Sequence, residues 1–319
     1  MTERLNVRVH LVRTEAEDAR SFELRAPDGA DLPPFTAGAH LDVHLPGEIS
    51  RSYSLTNPQS ERHRYVITVN RDAASRGGSR HMCEVVRPGE MLRINAPSNT
   101  FQLREDAEQS VLLAGGIGIT PLWCMIQRLE ELKKPWRLYY ASRTRPKMAF
   151  LRELRELEQR APGRVTLNFD HEPGAVMFDI AAIVREQSPS AHLYCCGPTG
   201  MLKAFEAATE GRAPETVHLE YFTSDVAPAQ QGGFEVVLAR SKKTIRIEPG
   251  QTILQAVLAL GMNVPRSCTQ GVCGTCETAV LEGIPDHHDT VLSKRERESN
   301  KKMMICCSGS LSERLVLDL

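Results

Sequence analysis

Cysteine spacing is the feature of this 319-residue sequence that points most directly to chemistry. Cys268, Cys273 and Cys276 form a C-x4-C-x2-C run, and Cys306 follows after 29 intervening residues. Four thiolates at this spacing are typical of a plant-type [2Fe–2S] cluster. Glycines within the run would let the backbone wrap closely around two irons. The fourth thiolate would then arrive from a distant strand.

Two other readings of the cysteines are open. A zinc site with four cysteines usually has two separate C-x2-C pairs, which this run lacks. Inert buried thiols would not explain three cysteines within nine residues crowded by glycine. Cys306 and Cys307 are adjacent and would point to opposite faces of a strand, so only one can reach the cluster, and the spacing favours Cys306. The remaining thiols, Cys83, Cys124 and Cys195 as well as Cys307, are expected to be small core residues.

A second candidate site combines a strand motif with a glycine-rich turn. Arg51-Ser52-Tyr53-Ser54 lies in a β-like run, where alternation places Arg51 and Tyr53 on one face. Arg71 follows, then Arg76-Gly77-Gly78-Ser79 and a predicted helix that stops before Pro88. Arginine and glycine amides at the start of a helix can cradle a phosphate. Taken singly, the first motif also fits an ordinary strand and the second a flexible turn.

A third motif joins an apolar strand to a helix. The strand at 111–114 runs into Gly115-Gly116-Ile117-Gly118, and Thr120-Pro121 begins a helix. Glycines at such a turn let a pyrophosphate approach the backbone, although the motif alone also fits a simple tight turn. After a later strand comes Cys196-Gly197-Pro198, placed where parallel sheets bind ligands. The two runs together predict a pyridine nucleotide site.

The turn Ser142-Arg143-Thr144-Arg145 is where recognition of the adenine ribose is expected. Two arginines there could contact a 2′-phosphate, so NADPH stays possible.

The elements that must position these motifs fall into successive regions. Residues 6–103 read as short alternating strands separated by turns, which predicts a small β-barrel. Residues 110–195 alternate strands with helices, as in a doubly wound parallel sheet. A segment of Pro, Gly and small polar residues follows, and then two strands and a helix. We predict domains at 1–105, 106–225 and 234–319, with a linker at 226–233.

Together the four motifs resemble the phthalate dioxygenase reductase type of the ferredoxin reductase superfamily, over nearly the whole chain. The resemblance implies a multidomain chain with an N-terminal antiparallel β-barrel for flavin and a central doubly wound α/β nucleotide domain. It also implies a C-terminal α+β ferredoxin domain of the β-grasp type. Members of this reductase type bind FMN, whereas relatives that use FAD tend to carry the ferredoxin domain at the N-terminus. The resemblance therefore implies FMN for this chain. The family generally prefers NADH, and an acidic residue that some relatives place in the turn at 142–145 is missing here.

The resemblance also assigns roles to individual residues. Tyr53 packs on the flavin ring, Ser54 lies near its N5 atom, and Thr120 lies between flavin and nicotinamide. Phe222, in the run Glu220-Tyr221-Phe222, covers the flavin, with Tyr221 as the second choice and an aromatic filling a domain interface as the structural alternative. The full set of cofactor-binding residues comprises Arg51, Ser52, Tyr53, Ser54, Val69, Arg71, Arg76, Gly77, Gly78, Ser79, Gly115, Gly116, Gly118, Thr120, Ser142, Arg143, Cys196, Gly197, Pro198 and Phe222, with the metal ligands Cys268, Cys273, Cys276 and Cys306.

These cofactors predict electron transfer. A hydride from NADH carries two electrons whereas a [2Fe–2S] cluster accepts one, and FMN can convert between them. The resemblance implies that the acceptor is a Rieske-type oxygenase or demethylase component. Two alternatives are a flavin or quinone reductase that acts on diffusible acceptors, and a redox-responsive binding module. The second would need a dedicated interaction segment, which we do not find in the sequence.

Composition narrows the classes of function. The formal net charge is −1, so no basic field would concentrate nucleic acid. Apolar residues make up 41% and charged residues 25%, as in an ordinary globular protein. No run of 18 apolar residues predicts a membrane span, and the first residues lack the apolar stretch of a signal peptide. We therefore expect a cytoplasmic protein that binds neither membrane nor nucleic acid and is a monomer.

Overall fold

The structure is a computed structural model that describes residues 4–47, 49–73, 75, 77–223 and 226–319. The chain forms two compact units, which are described separately below. The first ends at Glu220 and the second begins at Tyr221.

An antiparallel six-stranded sheet forms the N-terminal part of the first unit, as predicted. Its strand order is β4-β3-β6-β1-β2-β5. Beyond the last residue of β4, Leu55 pairs with Ile67, and the Thr56 N–H donates to Val66 O at 2.8 Å. These contacts bring β4 against β5 and curl the sheet towards a barrel. Its elements are β1 (Arg4–Ala16), β2 (Ala19–Arg25), β3 (His40–Leu45), β4 (Ile49–Ser54), β5 (Tyr65–Asn70), α1 (Gly78–Glu84) and β6 (Met91–Asn95).

A five-stranded parallel sheet follows in the same unit, with the order β11-β10-β7-β8-β9. The chain moves outwards from the central strand β7 in one direction and then in the other, which is the doubly wound topology that the sequence predicts. The alternating elements are β7 (Ser110–Gly115), α2 (Ile119–Glu131), β8 (Trp136–Ser142), α3 (Leu151–Arg160), β9 (Val165–Phe169), α4 (Ile180–Arg185), β10 (His192–Cys196), α5 (Thr199–Ala208) and β11 (Val217–Glu220).

One continuous hydrophobic core serves both sheets of this unit. Polar contacts add to it, because Lys147 Nζ lies 2.7 Å from Asp18 Oδ2 and Cys124 Sγ donates to Asn57 O at 3.2 Å. The predicted domain boundary at 105/106 lies in the connection between β6 and β7. The two sheets are therefore packed as one body, although each has its own topology.

The second unit carries a sheet of order β13-β12-β18-β14-β16 and a small β15–β17 pair. Strand β12 pairs antiparallel with β13 and parallel with β18, as in the predicted β-grasp domain. Helix α6 begins with a capping box between Thr252 and Gln255 and buries Leu254 and Val257. The elements are β12 (Glu235–Leu238), β13 (Lys243–Arg246), α6 (Ile253–Ala259), β14 (Glu277–Glu282), β15 (Pro285–Asp286), α7 (Lys294–Glu298), β16 (Lys302–Met304), β17 (Gly309–Ser310) and β18 (Arg314–Leu317).

The segment predicted as a linker, 226–233, is bonded to the second unit. The Ala229 N–H donates to Cys307 O at 2.7 Å, and the Gly233 N–H donates to Ile247 O at 2.7 Å. A Cβ on Gly232 would lie 2.2 Å from the backbone of Glu248. Proline and glycine composition indicates that a segment lacks periodic structure, but it does not indicate that the segment lacks contacts.

Among the described residues, no helix is both long enough and apolar enough to cross a bilayer.

Candidate redox site

Strand β4 presents the first predicted flavin motif. Ser54 is buried, while Arg51, Ser52 and Tyr53 are partly exposed. Burial raises the pKa of the Tyr53 phenol. Its hydroxyl is enclosed, yet it has no hydrogen-bond partner among the described residues. A buried hydroxyl without a partner is costly, so a bound polar ligand at this strand would fit it.

The glycine turn of the second motif lies against β4. Gly77 has φ 97° and precedes α1 directly. A Cβ on Gly78 would lie 2.6 Å from Arg51 Cγ, so a glycine at 78 lets the arginine pass over the start of the helix. The structure thereby brings Arg51, Gly77 and Gly78 together, as a phosphate cradle requires. Arg76 lies outside the described residues.

The neighbouring polar residues of this motif are engaged within the protein. Arg71 is 3.6 Å from Asp18 and 3.3 Å from Glu84. The Ser79 hydroxyl donates to Ser75 Oγ at 3.0 Å, which shapes the loop before α1. Val69, at the end of β5, is buried.

Asp42 is a residue of this region that the sequence analysis missed. It lies opposite Ser52 in the β3–β4 pair, and the Ser52 hydroxyl donates to Asp42 Oδ1 at 2.6 Å. Asn95 donates to the other carboxylate oxygen at 3.0 Å, and His44 Nε2 lies 2.9 Å from Asn95 Oδ1. A carboxylate within the alternating strand at 41–45, opposite the flavin motif, is the signal that could have revealed this network.

The two predicted nucleotide loops meet at the edge of the parallel sheet. Strands β7 and β10 are neighbours, although two strands and three helices separate them in the chain. Their carboxyl ends lead into the loops at 115–118 and 196–198. The chain leaves β7 towards β8 on one side and later returns to β10 on the other side. A crevice for ligand opens at such a switch in strand order.

Glycine in these loops mainly permits one loop to touch the other. A Cβ on Gly118 would lie 2.2 Å from Cys196 O, and one on Gly115 would lie 2.5 Å from Pro198 Cδ. Gly116 differs, because it has φ 54° and a Cβ there would meet no described atom within 4 Å. Of these three glycines, Gly116 therefore faces the open space where a pyrophosphate could approach.

Thr120 and Cys196 are buried beside this junction. The Thr120 hydroxyl donates to Ile117 O at 2.9 Å in the first turn of α2. Cys196 is fully enclosed, and burial raises the pKa of its thiol well above the ordinary value. The protein therefore favours a neutral thiol at Cys196 over a reactive thiolate.

Glu220, at the end of β11, is another residue whose chemistry the sequence does not reveal. It pairs in register with Cys196, and its Oε2 is buried without a hydrogen-bond partner among the described residues. Burial raises the pKa of this carboxyl to about 8.

Phe222, in the second unit, is 37% exposed, and its predicted place over the flavin stays a prediction.

The four cysteines predicted to bind the cluster meet as two pairs of thiols. Cys268 interacts with Cys273, and Cys276 interacts with Cys306, which also meets Cys307. Within each pair, a hydrogen bond from the partner holds the pKa of Cys273 and of Cys306 below the usual thiol value. Two pairs of thiols are the donor set that a cluster of two irons needs, with two thiolates on each iron.

Backbone amides surround these sulfurs. The Gln270 N–H donates to Cys268 Sγ at 3.3 Å, and the Gly271 amide faces the Cys306 sulfur. Such donors favour the thiolate form that iron requires. Nowhere in the described ranges do three His, Cys, Asp or Glu side chains meet as ligands of one metal ion would. The four thiols, paired two and two, fit the donor set of a two-iron cluster.

Cys306 and Cys307 have different surroundings. Cys306 contacts both Cys276 and Cys307, whereas the Cys307 thiol donates to Met304 O at 3.7 Å. A Cβ on Gly271 would lie 2.5 Å from Cys307 Sγ. This geometry favours Cys306 as the fourth ligand and places Cys307 in the core.

Comparisons with known proteins agree with this arrangement of sites. Residues 236–309 match the 2Fe-2S iron-sulfur cluster binding domain, and residues 112–207 match the oxidoreductase NAD-binding domain. The "Phenoxybenzoate dioxygenase subunit beta" of Ectopseudomonas oleovorans is 53% identical over 99% of this chain and 97% of its own length. The "Tetrachlorobenzoquinone reductase" of Sphingobium chlorophenolicum is 50% identical over 99% of this chain and 98% of its own.

Solved structures extend the likeness. Phthalate dioxygenase reductase, described as a modular structure for electron transfer from pyridine nucleotides to [2Fe-2S], matches with a TM-score of 0.74 and 38% identity over 99% of this chain and 98% of its own. An intact type IV self-sufficient cytochrome P450 monooxygenase matches with a TM-score of 0.89 and 35% identity over 99% of this chain, which spans only 41% of that protein.

The chain belongs to the phthalate dioxygenase reductase family. It is an NADH-dependent oxidoreductase whose cofactors are FMN and a [2Fe–2S] cluster.

Proposed function

We propose that this chain is the reductase component of a Rieske-type oxygenase or demethylase system and passes electrons from NADH on to the oxygenase. The observation that carries this proposal is the set of two thiol pairs in the ferredoxin domain. FMN, when bound, accepts the two electrons of a hydride and releases them singly, as the cluster requires. Relatives named for dioxygenase and demethylase systems match over almost the whole chain, which supports the choice of partner.

The chain's own residues would position the cofactors. We assign Cys268, Cys273, Cys276 and Cys306 to the cluster. The β4 motif and the glycine turn before α1 would hold FMN, with Ser54 near the reacting ring. The loops at 115–118 and 196–198, with Thr120 beside them, would hold nicotinamide and pyrophosphate. Phe222 is assigned to covering the flavin. Hydride transfer needs no acid or base, so positioning and exclusion of water are what these residues contribute.

A second function is favoured by one comparison. A relative named tetrachlorobenzoquinone reductase shares 50% identity over nearly the whole chain. A quinone can take electrons from flavin directly, so this activity would not need the cluster. The two functions therefore differ in their dependence on Cys306.

Anaerobic titration with NADH tests the first proposal. Absorbance should show flavin bleaching, and electron paramagnetic resonance should show the reduced cluster. Cofactor extraction should yield FMN. Flavin bleaching without a cluster signal in iron-replete protein would contradict the proposed route.

Adjacent cysteines supply a matched pair of variants. Cys306→Ser should lose most of its cluster iron and reduce a Rieske oxygenase at least 100-fold more slowly, since one thiolate ligand is gone. Cys307→Ser should keep the cluster and stay within about twofold of wild type. Both variants should reduce tetrachlorobenzoquinone at the wild-type rate if the quinone takes its electrons directly from the flavin. A Cys307→Ser protein that loses iron while Cys306→Ser retains it would reverse the ligand assignment.

A further inference from the structure

The turn that follows β8 is bound along its length by the loop that follows β9. The Asp170 N–H donates to Ser142 O at 2.9 Å, and the His171 N–H donates to Arg143 O at 2.9 Å. These bonds continue the parallel pairing of β8 with β9 beyond the last strand residues. Side chains from the second loop are thereby brought to the turn at 142–145.

Glu172 is the acidic residue that this pairing delivers. Its Oε1 accepts the Arg145 backbone N–H at 3.0 Å, and its Oε2 lies 3.4 Å from Arg145 Nε. The Arg145 guanidinium also lies over the Phe169 ring, with its carbon 4.3 Å from the ring centroid. Arg145 is therefore held by a carboxylate on one side and an aromatic face on another.

The two arginines of the turn consequently differ. Both are exposed, but Arg145 already has a carboxylate counter-charge in Glu172. A 2′-phosphate needs cations that are free to meet it, and a nearby carboxylate repels it. Glu172 acts in both ways, since it neutralises Arg145 and adds a negative charge to the same turn.

We propose that Glu172 is a specificity-determining residue that disfavours NADPH relative to NADH. The turn at 142–145 itself contains no acidic residue. The structure supplies that charge from the neighbouring loop, 27 positions beyond Arg145 in the chain. This inference rests on the proposed placement of the adenine ribose at residues 142–145.

Steady-state oxidation of NADH and NADPH by the FMN-loaded protein tests the proposal, with ferricyanide as the final acceptor. Glu172→Gln should raise kcat/KM for NADPH about tenfold and change that for NADH by less than twofold, because one charge is removed from the 2′-phosphate site. The gain should shrink as ionic strength rises. Glu210→Gln is the matched control, because this exposed residue lies at the amino end of the sheet.

Variants of Arg145 distinguish two effects of Glu172: repulsion of the 2′-phosphate by its carboxylate, and neutralisation of the Arg145 cation. Arg145→Met alone should leave NADPH use within twofold of wild type, since its charge is already neutralised. In the Glu172→Gln background it should remove most of the gain. An unchanged NADPH to NADH ratio in Glu172→Gln, or an equal rise in Glu210→Gln, would overturn the proposal. Wild-type protein that fails to oxidise NADH would instead overturn the proposed function.

Discussion

The nucleotide loops (115–118 and 196–198) and the cluster loop (268–276) are both rich in glycine, but they need it for different reasons. In the nucleotide loops, Gly118 has ordinary backbone angles and its missing Cβ leaves room for the backbone of the other loop. In the cluster loop, Gly271 has φ 72° and Gly274 has φ 75°, which side chains disfavour. Gly118 is thus needed for the close approach of a distant segment, whereas Gly271 and Gly274 are needed mainly for local backbone shape.

The largest effect is expected at Gly118. Gly118→Ala would place a Cβ 2.2 Å from Cys196 O, and backbone cannot move aside as a flexible side chain can. We expect a loss of about 4 kcal/mol or more in the free energy of unfolding, with loss of NADH binding. Thermal unfolding and a flavin-reduction assay would measure both.

Gly116→Ala is the matched control for that change. Its φ of 54° is disfavoured for alanine, but no described atom lies within 4 Å of the added Cβ. The cost to folding should be about 1 kcal/mol, while KM for NADH rises. Equal destabilisation by the two substitutions would break the distinction between close approach and backbone shape.

The next largest effect is expected from the titration of Glu220, which should make the free energy of unfolding depend on pH. Its ordinary pKa is 4.5, and the folded value is about 8. Between these values the unfolded chain releases the proton while the folded protein keeps it, so stability falls as pH rises from about 4.5 to about 8. At about 1.4 kcal/mol for each pKa unit, we expect a loss on the order of 4 kcal/mol across this window.

Glu220→Gln removes the titrating group, so its unfolding temperature should depend less on pH over the same range. Unfolding scans at pH 5, 6.5 and 8 would measure this. Parallel pH profiles for the variant and wild type would show that the buried carboxyl of the nucleotide region does not hold its proton.

Gly271→Ala is expected to have the smallest of the principal effects, and it tests the cluster loop. The substitution strains a backbone with φ 72° and places a Cβ 2.5 Å from Cys307 Sγ, a side-chain atom. We expect a cost of about 2 kcal/mol and reduced iron content. Gly271→Ala combined with Cys307→Ala should recover part of the iron. No recovery in the double variant would place the cost in the backbone alone.

The same contrast explains how much could be predicted from sequence. The cluster ligands could be predicted because three of the four cysteines lie within nine residues, so their spacing can be read directly from the sequence. Alternating apolar residues likewise predict strands such as β5, and apolar residues at helical spacing predict helices such as α2. Asp42 and Glu172 were missed because each meets a partner on a neighbouring strand or on the loop that follows one. Glu220 was missed because strand register buries it beside Cys196. Strand order and register decide such pairs, and neither is visible in a single segment.

The burial of the four cysteines assigned to the cluster bears on the properties of that cluster. Their exposed fractions are 8%, 7%, 5% and 3% in chain order. Because the shell around a metal site controls solvent access and the local dielectric, this enclosure would help to set the reduction potential of the cluster that they hold. The bonds that brace the loop, such as that from the Thr290 N–H to Gly271 O, would hold the enclosure in place.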